Sequence, residues 1–152
     1  NASRQLLGVY DKELVEKLAE VLANLGVIRG MSVCGSDGLD EITVTGPTYC
    51  CEIKDGELTS YEITPEQFGL STYPLAELVG GIPEENAQIT KDILSGTLKG
   101  AKRDVVLMNA GIGIYLGSEN LTMEEGIKKA EELINSGKAY EKMEEFVKAT
   151  QQ

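Results

Sequence analysis

Apolar positions open the chain as a short run, Gln5 to Val9, whose leucines and valine predict a strand. The period then changes. Leu14, Val15, Leu18, Val21, Leu22 and Leu25 recur at three- and four-residue steps, which gathers them on one face of a helix. Asp11 offers an N-cap oxygen for that helix, and Gly26 stands where it should end, just past Leu25. Val27 to Cys34 is again apolar, with no charge after Arg29, and reads as a strand buried on both faces. Strand, helix and buried strand in succession make one βαβ unit and predict a parallel pair.

Beyond Cys34 the pattern breaks into a turn, Gly35-Ser36-Asp37-Gly38-Leu39-Asp40-Glu41. The alternation Ile42-Thr43-Val44-Thr45 then predicts a strand, stopped by Gly46-Pro47. Thr48 to Ile53 and Glu57 to Ile63 flank Lys54-Asp55-Gly56, and Asp-Gly between two such runs is a strong antiparallel hairpin signal. Thr64 with Pro65 and Gln67 reads as an N-cap, a first helical residue and a capping box for one short turn before Gly69. From Pro83 the chain is helical. Pro83 to Leu94 stops at Gly96. Lys102 to Leu116, apolar on most sides and rich in Ala and Gly, reads as buried and closely packed, with Asn109 as a satisfied core polar group. Thr122 and Glu125 form a further capping box for a helix ending near Ser136-Gly137, and a last helix runs from about Lys138 to Ala149.

The chain has 152 residues, one domain's worth, with 41% hydrophobic and 26% charged residues. No apolar run approaches the roughly 20 residues needed to span a bilayer, and no secretory signal pattern is visible. With 25 acidic and 14 basic residues the net charge is −11, so nucleic acid and anionic membrane are poor partners. Histidine is absent, which removes His-based triads and the commonest transition-metal ligand. Cys34, Cys50 and Cys51 fit neither a disulfide framework nor a zinc site and read as buried, reduced thiols of a cytoplasmic protein.

The candidate chemistry lies in the turn after Cys34. Carboxylates on a Gly-rich loop at the end of a buried strand are a common way for α/β enzymes to hold a hard cation such as magnesium, and Asp40 and Glu41 form such a pair. The plainer reading makes Asp37 and Asp40 turn residues and Glu41 a solvated strand start. Adjacent strand residues face opposite ways, so two carboxylates serving one cation need a bend, which Gly35 and Gly38 allow; otherwise each addresses its own ion. Elsewhere, Gly80-Gly81 before Pro83 reads as an ordinary loop and cap, since Glu84 and Glu85 would repel an anion there. Lys99, Lys102 and Arg103 read as a solvated basic face.

The words around the carboxylates carry more. Gln5-Leu6-Leu7-Gly8-Val9-Tyr10-Asp11, Asp37-Gly38-Leu39-Asp40-Glu41 and Thr45-Gly46-Pro47-Thr48 closely resemble the anthranilate phosphoribosyltransferase family. Thr64 to Leu70, Gly80 to Ala87 and Asn109-Ala110-Gly111 look like its later landmarks in the same order. Cys34 departs from the pattern, standing where family members more often carry a histidine. The resemblance covers essentially the whole chain but only the C-terminal part of the family's sequence.

That resemblance implies an α/β fold, the C-terminal part of a nucleoside phosphorylase/phosphoribosyltransferase catalytic domain. It would comprise a parallel βαβ unit, an antiparallel hairpin and C-terminal helices across residues 1–152. The phosphate loop, the anthranilate-contacting residues and an N-terminal helical domain would lie upstream. Two parallel strands are also too few for so many helices, so the sheet should present an open edge or cover it by self-association. The implied reaction moves a phosphoribosyl group from phosphoribosyl pyrophosphate to anthranilate in tryptophan biosynthesis. Magnesium would be the cofactor, Asp40 and Glu41 its ligands, and the full-length enzyme a cytoplasmic homodimer, with the isolated chain inactive. A pyrimidine nucleoside phosphorylase, which shares the fold, or a non-catalytic ligand-binding paralogue are the competing readings.

Overall fold

A computed structural model of the chain describes residues 2–151. Strand β1 (Arg4–Gly8) leads into helix α1 (Lys12–Asn24) and returns as β2 (Arg29–Gly35). The N-cap expected of Asp11 is present, its Oδ1 accepting from Glu13 N–H at 2.9 Å. Gly26, at φ 92°, takes the left-handed turn that ends α1. β1 and β2 pair in parallel, Leu6 beside Met31. β2 starts two residues later than the apolar run suggests, and Val27 packs instead under α1 with Val15, Ala19 and Leu22.

β3 (Thr48–Lys54) and β4 (Glu57–Ile63) form the expected hairpin, and β3 lies antiparallel to β2, giving the strand order β1-β2-β3-β4. Asp55 and Gly56 both have positive φ, 52° and 86°, as a two-residue turn of matching twist requires. Among the described residues β1 pairs only with β2 and so forms an edge of the sheet.

The sheet has a core on each face. Cys34, Cys51 and Ile53 point toward α1, while Met31, Val33 and Cys50 point toward α3 (Ala101–Gly117) and α4 (Met123–Asn135). The adjacent cysteines thus belong to different cores, and all three thiols are buried and free. α3 and α4 touch through glycine. A Cβ on Gly111 would lie 2.5 Å from the Ile127 Cα, and one on Gly126 would lie 2.3 Å from the Gly111 carbonyl oxygen. The Ala- and Gly-rich composition of α3 is what lets α4 approach so closely. Arg4 and Arg29 donate to the Leu116 and Ser118 carbonyls, capping the C-terminal end of α3 with positive charge. Glu52 joins the hairpin to α3 by accepting from Tyr61 and Tyr115 hydroxyls at 2.7 and 2.6 Å.

Helices α2 (Pro83–Leu94) and α5 (Lys138–Thr150) complete the chain. At the start of α2, Glu85 accepts from Ile82 N–H and the Asn86 side chain bonds both backbone groups of Gly81, so this is the expected loop and cap. Thr122 and Glu125 form their reciprocal box at the start of α4. No helix among the described residues is long and apolar enough to cross a membrane.

Two expectations fail. Lys102 and Arg103 are not a solvated face: Arg103 is buried against Glu131 at 2.8 Å and Asp104 at 3.7 Å. Lys102 donates to the Glu77 and Val79 carbonyls, pinning the preceding loop to α3, and only Lys99 stays exposed. Nor is Ile42–Thr45 a strand, although Ile42, Thr43 and Val44 are fully buried. Side chains take three of its N–H groups, and the Val44 carbonyl accepts from Tyr73 N–H at 2.9 Å. Ile42 N–H goes to Asn109, Thr43 N–H to the Thr48 hydroxyl and Thr45 N–H to the Thr43 hydroxyl. Alternation reports burial here, while a strand also needs a partner backbone.

Candidate active site

The loop from Ser36 to Pro47 leaves the C-terminal end of β2 and returns to β3, beside the C-terminal end of β1. That end of parallel strands is where open α/β sheets place their ligands. The loop is built around Asp37. Its Oδ1 accepts from Leu39 N–H at 3.1 Å, and its Oδ2 accepts from the hydroxyls of Thr43 at 2.5 Å and Thr45 at 2.7 Å. Burial alone would push this carboxyl up, but the hydrogen bonds from Thr43, Thr45 and Leu39 outweigh it and hold Asp37 below the usual carboxylate range. Asp37 is therefore the turn residue that the plainer reading described.

Asp40 and Glu41 behave differently. Both are exposed, and among the described residues neither carboxylate takes a hydrogen bond or an ion pair. Gly38, at φ 84°, bends the chain ahead of them, and the segment is irregular rather than extended. Both residues consequently contribute to one groove of about 330 Å³, walled by Ile89, Val105 and Val106. The sequence leaves open whether adjacent carboxylates serve one site; the irregular loop places both residues along the same groove.

Two further contacts set where the pair stands. Gly8, the last residue of β1, lies flat against it: a Cβ there would fall 1.5 Å from the Asp40 carbonyl oxygen. On the other side, Asn109 of α3 binds both backbone groups of Ile42. Asn109 was expected as a satisfied core residue, and it is one; its partner could not be read from its helical position. Cys34 lies on the α1 face of β2, two residues before the loop, and its thiol is raised by burial, with Asp11 and Asp37 adding to the shift.

The donor set suits a hard cation held lightly. Among the described residues no three carboxylate, thiol or imidazole groups converge on a metal position. Two free carboxylates leave most of a coordination sphere to water and ligand oxygens, which is how magnesium is ordinarily held beside a phosphate substrate. A transition-metal site would need the imidazoles or thiolates that this loop lacks.

The family described as glycosyl transferase family, a/b domain, matches residues 1–140. The chain is 50% identical over 149 residues to the anthranilate phosphoribosyltransferase of Endomicrobium trichonymphae, covering 98% of this chain and 44% of that protein. Its fold is similar to the crystal structure of the Thermus thermophilus anthranilate phosphoribosyltransferase, with TM-score 0.84 and 38% identity over 92% of this chain and 41% of that one. It is as similar, at TM-score 0.84 and 35% identity, to the Saccharomyces cerevisiae enzyme in complex with PRPP and Mg, covering 95% of this chain and 42% of that one. The chain thus spans less than half the length of these relatives. With a family match across nearly the whole chain and the same α/β architecture, the chain belongs to the glycosyl transferase family, in its a/b domain.

Proposed function

We propose that this chain is the C-terminal part of the catalytic domain of an anthranilate phosphoribosyltransferase of tryptophan biosynthesis. In the whole enzyme an upstream phosphate loop and acceptor site complete the centre, and an N-terminal helical domain precedes them. The full-length protein is a cytoplasmic homodimer, and the chain alone is inactive. The observation that carries the reading is the pair Asp40 and Glu41 on the loop that follows β2: both are exposed, neither carboxylate has a partner among the described residues, and both line one groove between that loop, α2 and α3. The similarity to relatives of that name supports the substrate pair, phosphoribosyl pyrophosphate and anthranilate.

The chemistry assigns this chain a limited task. The anthranilate amine attacks the ribose anomeric carbon, the bond to pyrophosphate oxygen breaks with its electron pair, and the amine sheds a proton. The net charge of −11 on this chain works against binding a polyphosphate beside it. Asp40 and Glu41 are the residues that would hold magnesium here, and the ion, when bound, would supply positive charge against the departing diphosphate. Asp37 and Gly38 shape the loop that carries the pair, and the core behind it is apolar and closed to water.

Replacing Asp40 by Asn, or Glu41 by Gln, tests the assignment in the full-length enzyme. Volume is kept and charge is lost. Since both groups are exposed and unpaired, thermal melts should scarcely move, while turnover falls and the magnesium needed for half-maximal rate rises. Variants with wild-type turnover and magnesium dependence would remove the pair from the site.

A further inference from the structure

Asn109 reaches out of α3 to the residue that follows Glu41. Its Oδ1 accepts from Ile42 N–H at 3.1 Å, and its Nδ2 donates to the Ile42 carbonyl at 2.7 Å and to the Val105 carbonyl at 3.0 Å. One planar side chain thus does for Ile42 what a neighbouring strand would have done. A primary amide alone among short side chains offers a donor and an acceptor side by side. Aspartate at this position would face the Ile42 carbonyl with another acceptor, and leucine would leave both backbone groups bare.

The bonds do more than satisfy a buried loop. The Ile42 side chain is fully buried in the core beneath α3, so the loop is anchored there whether or not the amide is present. What the core contact leaves free is rotation of the peptide plane between residues 41 and 42. The Ile42 N–H lies in that plane, and the direction of Glu41 turns with it. Asp37 holds the preceding turn at Leu39, and Gly8 abuts Asp40 itself, so the amide supplies the remaining constraint.

We infer that Asn109 is a positioning residue for magnesium, orienting Glu41 and with it Asp40 toward a shared ion. This rests on the function proposed above. Groups one shell out from a metal ligand commonly change metal affinity about 10–100-fold when replaced. A residue that only stabilised the fold would leave the affinity of the folded protein alone.

The test is Mn²⁺ binding to the full-length enzyme in the presence of phosphoribosyl pyrophosphate, read from the free-ion paramagnetic resonance signal. It is run at a temperature where circular dichroism shows each variant folded. Asn109→Leu and Asn109→Asp should bind Mn²⁺ about tenfold or more weakly. Asn109→Gln, with the amide on a longer stem, should recover part of the loss. Ile134→Ala, a core truncation in α4 away from the loop, should lower the melting temperature and leave Mn²⁺ affinity unchanged. Asn109→Leu affecting affinity no more than Ile134→Ala would overturn the inference. If Asn109→Leu does not fold, equal affinities for the Gln and Asp variants would overturn it instead. Asp40→Asn separates the two levels: if it weakens Mn²⁺ while the Asn109 variants do not, this inference alone fails. If Asp40→Asn also binds as wild type, the magnesium assignment fails with it.

Discussion

Gly8→Ala places one methyl group between β1 and the carboxylate loop. Its backbone is not left-handed, so the cost is contact rather than strain. The new Cβ would sit 1.5 Å from the Asp40 carbonyl oxygen, where real Cβ contacts essentially never fall under 3.0 Å. Strand and loop must therefore part by at least the 1.5 Å difference. β1 cannot yield easily, because Gly8 lies in register with Val33 and Val9 N–H bonds the Val33 carbonyl at 2.9 Å. The loop yields, and a shift of that size would break the 3.1 Å bond from Ile42 to Asn109. Overpacking costs about 1–3 kcal/mol and a lost internal hydrogen bond about 1 kcal/mol, so the variant should lose about 2–4 kcal/mol. At about 2–4 °C per kcal/mol for a domain of this size, the melting point falls visibly. The magnesium requirement should rise with it, since Asp40 is what moves. Thermal melts and a magnesium titration of the full-length enzyme read both. A Gly8→Ala enzyme that melts and titrates as wild type would refute the packing on which the site is built.

Within α3, Gly111→Ala should destabilise by about 1–3 kcal/mol through its clash with Ile127. Gly113→Ala, exposed and with open space for the new Cβ beyond its own helix backbone among the described residues, should instead stabilise by about 0.5–1 kcal/mol; chemical denaturation compares the two. Asp37 titrates lower folded than unfolded, so its contribution is present above its ordinary value of 3.8 and is lost as pH falls through the lower folded value. Asp37→Asn should accordingly flatten the acid limb of a stability-against-pH curve. Burial, with Glu52 beside it, pushes the Cys50 thiol up to about 12, and burial also raises Cys34 and Cys51. A thiol reagent at neutral pH should therefore find these three unreactive in folded protein and reactive in urea.

The helices and the hairpin were legible in the sequence because their signals are local. Asp11, Gly26, Asp55-Gly56 and the Thr122–Glu125 box each act within a few residues of where they stand. The parallel pairing of β1 and β2 followed from the order strand, helix, strand. What could not be read is what distant residues do to one another. Ile42 to Thr45 alternates as a strand does, yet its hydrogen bonds go to Asn109, Thr48 and Thr43, and only the fold brings Asn109 there. Lys102 and Arg103 look like surface charge until Glu131, Asp104 and two loop carbonyls enclose them. The sequence marks Asp40 and Glu41 as candidates, but their joint exposure along one groove depends on Gly8, Gly38 and Asp37 acting together.

The most direct test is a crystal structure of the full-length enzyme with phosphoribosyl pyrophosphate and Mn²⁺, the ion located by its anomalous scattering. The account predicts a peak bridging diphosphate oxygens and at least one carboxylate oxygen of Asp40 or Glu41, at about the 2.0–2.1 Å reach of a magnesium-type site. The rest of its coordination sphere should be water. A metal bound to the diphosphate with both carboxylates facing solvent would contradict it.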